Sequence, residues 1–194
     1  METLDLLQTA TKLVKLMGLL DQQADKILPQ EIVSIVKLHS KLAVGAAWIP
    51  MPGADIAAGA AAIWGMYIRI NSKIGLKVKD NVIKTIASGI GTNLLSYVAM
   101  SGIASSLKFI PGLGTLGGAL IMSASQYAIT LTAGWIYLKA LCVLAEKNGP
   151  ELDISKLNNA VKDVLSQKDL IKNIFDQAKK EGKNLGSGFS FNNL

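Results

Sequence analysis

The chain has 194 residues and a formal net charge of +6; half of it is apolar and only 18% is charged. That charge fraction lies below the ~25% usual for soluble domains, and a mean hydropathy of +0.36 agrees, so the chain carries more apolar surface than one small core requires. A single cysteine, Cys142, excludes an internal disulfide, and nineteen lysines against one arginine, Arg69, argue against nucleic acid as a partner, because bidentate phosphate and base contacts lean on arginine.

The opening Met1-Glu2-Thr3-Leu4-Asp5 lacks the basic start of a signal peptide, so export through a cleaved signal is not expected. Residues 3–22 then place Leu6, Ala10, Leu13, Met17 and Leu20 at spacings of four and three, one face of an amphipathic helix, with Lys12, Lys15 and Asp21 off that stripe. A second helix starts near Pro29, a good first-turn residue, with Glu31 favouring its positive end and Ile32, Ile35, Val36 and Leu42 as its apolar face. Charge then vanishes: between residues 42 and 68 only Asp55 and Tyr67 can ionise. The run is broken at Trp48-Ile49-Pro50-Met51-Pro52-Gly53, where two prolines and a glycine demand a turn. The next helix runs from about Gly53 to about Lys73, with Gly75 as its stop.

Residues 85–107 carry no charge at all. Lys108 and a second turn, Phe109-Ile110-Pro111-Gly112-Leu113-Gly114, follow, and residues 115–138 are again uncharged. That helix is expected to pass Lys139, reach Glu146 and end at Asn148-Gly149-Pro150. Beyond it, Ile154, Leu157, Val161 and Val164 make one amphipathic stripe and Ile171, Ile174, Phe175 and Ala178 another, with Gly182 expected to end the last helix. No strand pattern competes. The fold class is all-α, a helical bundle divided into residues 1–28 (an amphipathic helix), 29–147 (the hydrophobic core unit), 148–183 (amphipathic helices) and 184–194 (a flexible tail).

The two turns repeat one another: an aromatic residue, Ile, Pro, then Gly three residues after the Pro, followed by a helix rich in small residues. In the first unit Gly53, Ala57, Ala61 and Gly65 recur every four residues, beside Ala54, Ala58 and Ala62. In the second, Gly114 and Gly118 are four apart, beside Gly117 and Ala119. Small residues at this spacing let helix backbones approach, in membranes and in tight soluble bundles alike. The expected packing residues are therefore Gly53, Ala57, Ala61, Gly65, Gly114 and Gly118, and the turn residues Pro50, Pro52, Pro111 and Gly112.

The stretch Ile49-Pro50-Met51-Pro52-Gly53-Ala54-Asp55-Ile56-Ala57, with Met66-Tyr67, Ile74-Gly75 and Ile110-Pro111-Gly112-Leu113-Gly114, resembles the YcjF-like family, a bacterial hydrophobic family of unassigned function, over about residues 30–146. The resemblance implies membrane-spanning helices and a neighbouring or fused Era-like GTPase. No G-x-x-x-x-G-K-[ST] occurs in this chain, so a P-loop GTPase would be a separate partner.

Twenty-three helical residues measure about 35 Å, enough for a ~30 Å hydrocarbon layer. Residues 85–107 and 115–138 therefore fit a membrane hairpin, with Lys84 and Lys139 favouring a cytoplasmic open end at the inner membrane. Against it stand Thr85, Ser88, Thr92, Asn93, Ser96, Ser101, Ser105 and Ser106 in the first segment. Two readings remain open: a non-enzymatic protein that inserts into, anchors to or remodels a bilayer, as a homo-oligomer through its small-residue faces; or a cytoplasmic helical module that binds lipid or a protein partner. The lysines read as solvated helix faces or as attraction to anionic headgroups, at roughly 1 kcal/mol each near a surface.

No catalytic constellation, cofactor motif or metal-ligand spacing is readable. Asp55 is either a functional acid in an apolar stretch or the cap of its own helix's first turn. His39, the sole histidine, is expected at the core edge, and Cys142 as a small buried hydrophobe. Trp48, Trp64 and Trp135 serve equally as interface markers or core fillers, and Asn93 and Gln126 as hydrogen-bonding residues between helices.

Overall fold

The computed structural model describes residues 29–46, 54–100, 116–148 and 152–188. The first described helix, α1 (Pro29–Ala46), opens on its proline with Glu31 in the first turn. Its buried stripe is Ile32, Val33, Val36, His39, Ser40, Ala43 and Val44; Leu42, expected on that face, is 58% exposed. At the far end of the stripe Ala43 and Val44 continue the period from Ser40, and Leu42 falls beside Leu38 on the outer side.

Helix α2 (Ala54–Lys73) buries Ile63, Met66, Tyr67 and Ile70. It stops as the sequence predicts. Gly75 takes φ 71°, the Gly75 amide donates to the Ser72 carbonyl at 3.3 Å and the Leu76 amide to the Asn71 carbonyl at 2.8 Å. This bond pair is the Schellman closure, which needs a residue free to turn left-handed. Helix α3 (Asp80–Met100) returns antiparallel to α2 and buries Ile83, Ile86, Ala87, Ile90 and Leu94. Lys84, Thr85, Ser88, Thr92, Asn93 and Ser96 form its outward side. Asn93, expected to bond a neighbouring helix, is exposed.

Helix α4 (Leu116–Asn148) is unbroken over 33 residues and nearly every described position from Ser123 to Ala145 is buried. It touches all the other described α-helices. Around it stand, in order, α6 (Lys168–Gly188), α1, α2, α3 and α5 (Leu157–Leu165). A Lys37–Glu181 ion pair at 3.9 Å bridges α1 and α6. A 3-10 turn, Ile154–Lys156, leads into α5; Asp153 caps it by accepting from the Ser155 amide at 3.1 Å. Each outer helix is amphipathic because it has one neighbour inward and water outward. The central helix shows no such periodicity because it has protein on every side. Among the described residues there is no strand, and the fold is an all-α bundle.

Gly182 does not end the last helix. It is buried within α6, where a β-carbon would stand 3.0 Å from the Cα and the carbonyl oxygen of Ala124 and 3.0 Å from Cβ of Tyr127. The glycine is a contact surface, and packing on α4 carries the helix through it to Gly188.

Among the described residues one helix, Met122–Lys147, is long and apolar enough to cross a membrane, and 89% of that window is buried inside the chain. The core helix of a bundle meets the same test of length and composition. Of the expected hairpin, the second segment is largely buried within its own chain from Met122 on, and the first, as far as Ser96, presents a largely polar outer side.

Candidate functional site

Among the described residues no three His, Cys, Asp or Glu side chains are placed to hold a metal ion. His39 is 5% exposed and its Nδ1 lies 2.8 Å from the Ile35 carbonyl oxygen. Its Nε2 faces Gly65, 3.7 Å from where a β-carbon would sit. Cys142 is a buried free thiol. Trp135 is buried and Trp64 half-buried, both in the protein core cluster or packed on it.

The expected site residues separate into three groups. Ala57 and Ala61 are exposed and Gly65 is half-buried, so their row faces outward from α2 rather than into the bundle. Asp55 is the second residue of α2 and Gly118 the third of α4, but their side chains lie outside the described residues. Pro50, Pro52, Gly53, Pro111, Gly112 and Gly114 lie outside them altogether. The close helix approaches within the chain are made at other glycines. At Gly134 a β-carbon would meet Val36 Cγ1 at 2.6 Å and Met66 Sδ at 3.0 Å, and at Gly59 it would meet Gln126 Oε1 at 2.8 Å.

A groove runs outward along the α2–α3 hairpin. Its inner hollow, about 180 Å³, is lined by Gly59, Ile63, Ala87, Gly91 and Leu95, with Gln126 and Ile129 of α4 at its floor. An adjoining hollow of about 200 Å³, lined by Ala61, Trp64 and Lys84, shares Ala60, Ala87 and Ser88 with the first. Each is of the size that takes an aromatic ring or one or two aliphatic side chains. The groove exists because α2 and α3 face each other here with Gly59, Ala60, Ala87 and Gly91, residues too small to fill the space between two helix backbones.

Two polar groups look into it. Gln126 is only 8% exposed, and its Oε1 lies 2.8 Å from where a β-carbon on Gly59 would stand. At the other end, Lys84 Nζ sits 4.7 Å from the Trp64 ring centroid. Beyond Lys84 the surface is basic: Arg69, Lys73, Lys77 and Lys79 are exposed there, and Glu31 meets Lys73 at 3.3 Å.

The sequence signal for this groove was present in Gly59, Ala87 and Gly91, each adjacent in the helical period to Ile63, Ile90 or Leu94. The row at Gly53, Ala57, Ala61 and Gly65 is more regular in sequence, but its Ala57 and Ala61 lie on the exposed side of α2. No protein-family model, curated protein or solved structure matches the chain.

Proposed function

We propose that the chain is a non-enzymatic helical interaction module whose working surface is the α2–α3 groove. The observation that carries this is the pair of adjoining hollows, the inner one with Gln126 in its lining. Hollows one helical turn apart, on an apolar strip with a basic end, suit the side chains at i and i+3 or i+4 of an amphipathic helix. The resemblance to the YcjF-like family supports a P-loop GTPase as a protein that such a module would serve. The exposed Ala57 and Ala61 row supports a second contact, between copies of the chain.

A second reading is favoured by one observation, the membrane-length helix Met122–Lys147. On that reading the five outer helices shield α4 until the bundle opens at a bilayer on the cytoplasmic side of the inner membrane, and α4 inserts. The cost is the exposure of every apolar face now packed on α4.

Cell fractionation followed by alkaline carbonate extraction of the membrane pellet separates the two. Recovery in the soluble fraction, or release by carbonate, supports the interaction module. Retention in the extracted membrane overturns it in favour of insertion.

A further inference from the structure

The charge in the α2–α3 groove sits at one end. Among the described residues Lys84 is the only charged side chain lining either hollow, and its Nζ rests 4.7 Å from the centre of the Trp64 ring. None of the ion pairs among the described residues takes up Lys84. The one carboxylate on α3, Asp80, stands a turn before it at the exposed start of the helix. A cation held on an indole face, without a counter-ion and beside an apolar hollow, suits an anion that carries an apolar tail.

The rest of the groove has what such a tail needs. From Lys84 the hollows run along α3 to Leu95, which is about 16 Å of helical rise. An extended chain of about twelve carbons, with ~1.5 Å bonds in zigzag, comes close to that length. Ala60, Ile63, Ala87, Gly91 and Ile129 give the wall its carbon surface. The polar lining of the inner hollow is uncharged: Ser88 and Thr92 on the exposed rim, and Gln126. Leu95 at the far end is 41% exposed, and a tail ending there takes it out of water. A hollow sized for one or two aliphatic side chains accepts one alkyl chain, not the paired chains of a membrane phospholipid.

We propose that the α2–α3 groove binds a single-chain anionic lipid, a fatty acid, with its carboxylate on Lys84 and its tail passing Ala87 and Gly91 towards Leu95. The opposite orientation puts the carboxylate among Ile63, Ile129 and Leu95, where its charge has no partner. This ligand goes beyond the helix-docking reading above, since it fills the same hollows and a docked helix and a bound fatty acid exclude one another.

The test is calorimetric titration of the full chain with dodecanoate, far below its micelle concentration, at pH 8. The expected result is saturable binding, at least tenfold tighter than for dodecan-1-ol or dodecyltrimethylammonium. Decanoate, two methylenes shorter, should bind about tenfold more weakly than dodecanoate. Lys84→Gln should erase the preference for dodecanoate over dodecan-1-ol. Lys79→Gln, at an exposed lysine outside both hollows, should change dodecanoate binding by less than twofold. Ser88→Phe, in the lining shared by the hollows, and Gly91→Leu, which fills the inner one, should each weaken it at least tenfold. Ser88 is exposed, so that variant keeps the fold even where Gly91→Leu does not.

Absence of saturable binding overturns the proposal, as does equal affinity for the acid and the alcohol. So does a preference that survives Lys84→Gln, or an affinity that Ser88→Phe leaves unchanged. The helix-docking reading fails separately, on membrane retention after carbonate. Failure of dodecanoate with the chain in the soluble fraction leaves a helix as the groove's occupant.

Discussion

Tyr67 and Tyr137 stack with ring centroids 4.0 Å apart and planes 13° from parallel, and each reaches past the other to the opposite helix. The Tyr67 hydroxyl donates to the Ala133 carbonyl at 2.9 Å, and the Tyr137 hydroxyl donates to Asn71 Oδ1 at 2.8 Å. Ala133 lies one turn before Tyr137 and Asn71 one turn after Tyr67. The two bonds therefore form a reciprocal latch that fixes the register of α2 on α4. Everything at the groove floor depends on that register, since Gln126 belongs to α4 and Gly59 to α2.

Breaking the latch should cost stability without changing the fold. Tyr67→Phe is expected to lose about 1–2 kcal/mol, the worth of a buried hydrogen bond and the orphaned acceptor it leaves. Tyr137→Phe should cost more, because the Nδ2 group of Asn71 already lacks a partner and its carbonyl would lose the only bond shown for that side chain. The double variant should fall short of the sum, as contacting residues do. Urea unfolding of the three variants measures this; strict additivity would show that the two bonds are independent.

The same pair sets a pH limit. Burial, and then the neighbouring Tyr137, hold the Tyr67 hydroxyl well above its ordinary value of 10.0; burial likewise raises Tyr137, partly offset by Asn71. Below about pH 10 both the folded and unfolded chains keep these protons, and stability is unaffected. Above it the unfolded chain releases protons that the fold retains, so stability falls as pH rises toward the folded values. The urea midpoint should drop between pH 10 and 11.5, and Tyr67→Phe with Tyr137→Phe should flatten that drop.

The glycine contacts predict an order of sensitivity. At Gly182 an added methyl meets the backbone of Ala124, which cannot move alone; at Gly59 it meets the end of the Gln126 side chain, which can. Gly182→Ala should therefore destabilise by about 1–3 kcal/mol, the usual cost of overpacking, which is a fall of several degrees in Tm for a chain of this size. Gly134→Ala, pressed on Val36 and Met66, should rank close to it. Gly59→Ala should be the mildest of the three, read by thermal unfolding.

The outward alanine row separates folding from assembly. Ala57→Leu and Ala61→Leu alter exposed positions, so monomer stability should stay within about 0.5 kcal/mol. If copies of the chain pack through that row, the oligomer mass by light scattering should fall, while Lys-to-Gln changes leave it unaltered. An unchanged mass in the leucine variants would remove the row as an assembly surface.

Local features of this fold were legible where one residue type has one physical use. Pro29 opening a helix, Gly75 closing one, and the stripes at Leu157, Val161, Val164, Ile171, Ile174 and Phe175 all follow from period and backbone limits. What composition could not resolve was the neighbour. An uncharged helix such as α4 has the same sequence whether it is wrapped by lipid or by other helices, because both are apolar surroundings. The polar positions Ser123, Thr130 and Thr132, all fully buried in α4, carry no sign of which. Gly182 misled for a related reason: a glycine permits both a helix stop and a close contact, and only the position of Ala124 decides between them. The groove was hidden because its walls come from Gly59 and Gly91, on separate helices, and its floor from Gln126 on a third.

The central place of α4 also has a consequence for synthesis. Translation delivers α1, α2 and α3 before α4, so Ile32, Val36, Met66, Ile70, Ile86 and Ile90 leave the ribosome with their main contact surface not yet made. At ~5–20 residues per second, the stretch from the end of α3 to the end of α4 takes several seconds. During that interval the nascent chain shows an apolar surface that the finished bundle hides. The chain should thus be a client of ribosome-bound chaperones for a defined window, one that closes when Asn148 has cleared the exit tunnel.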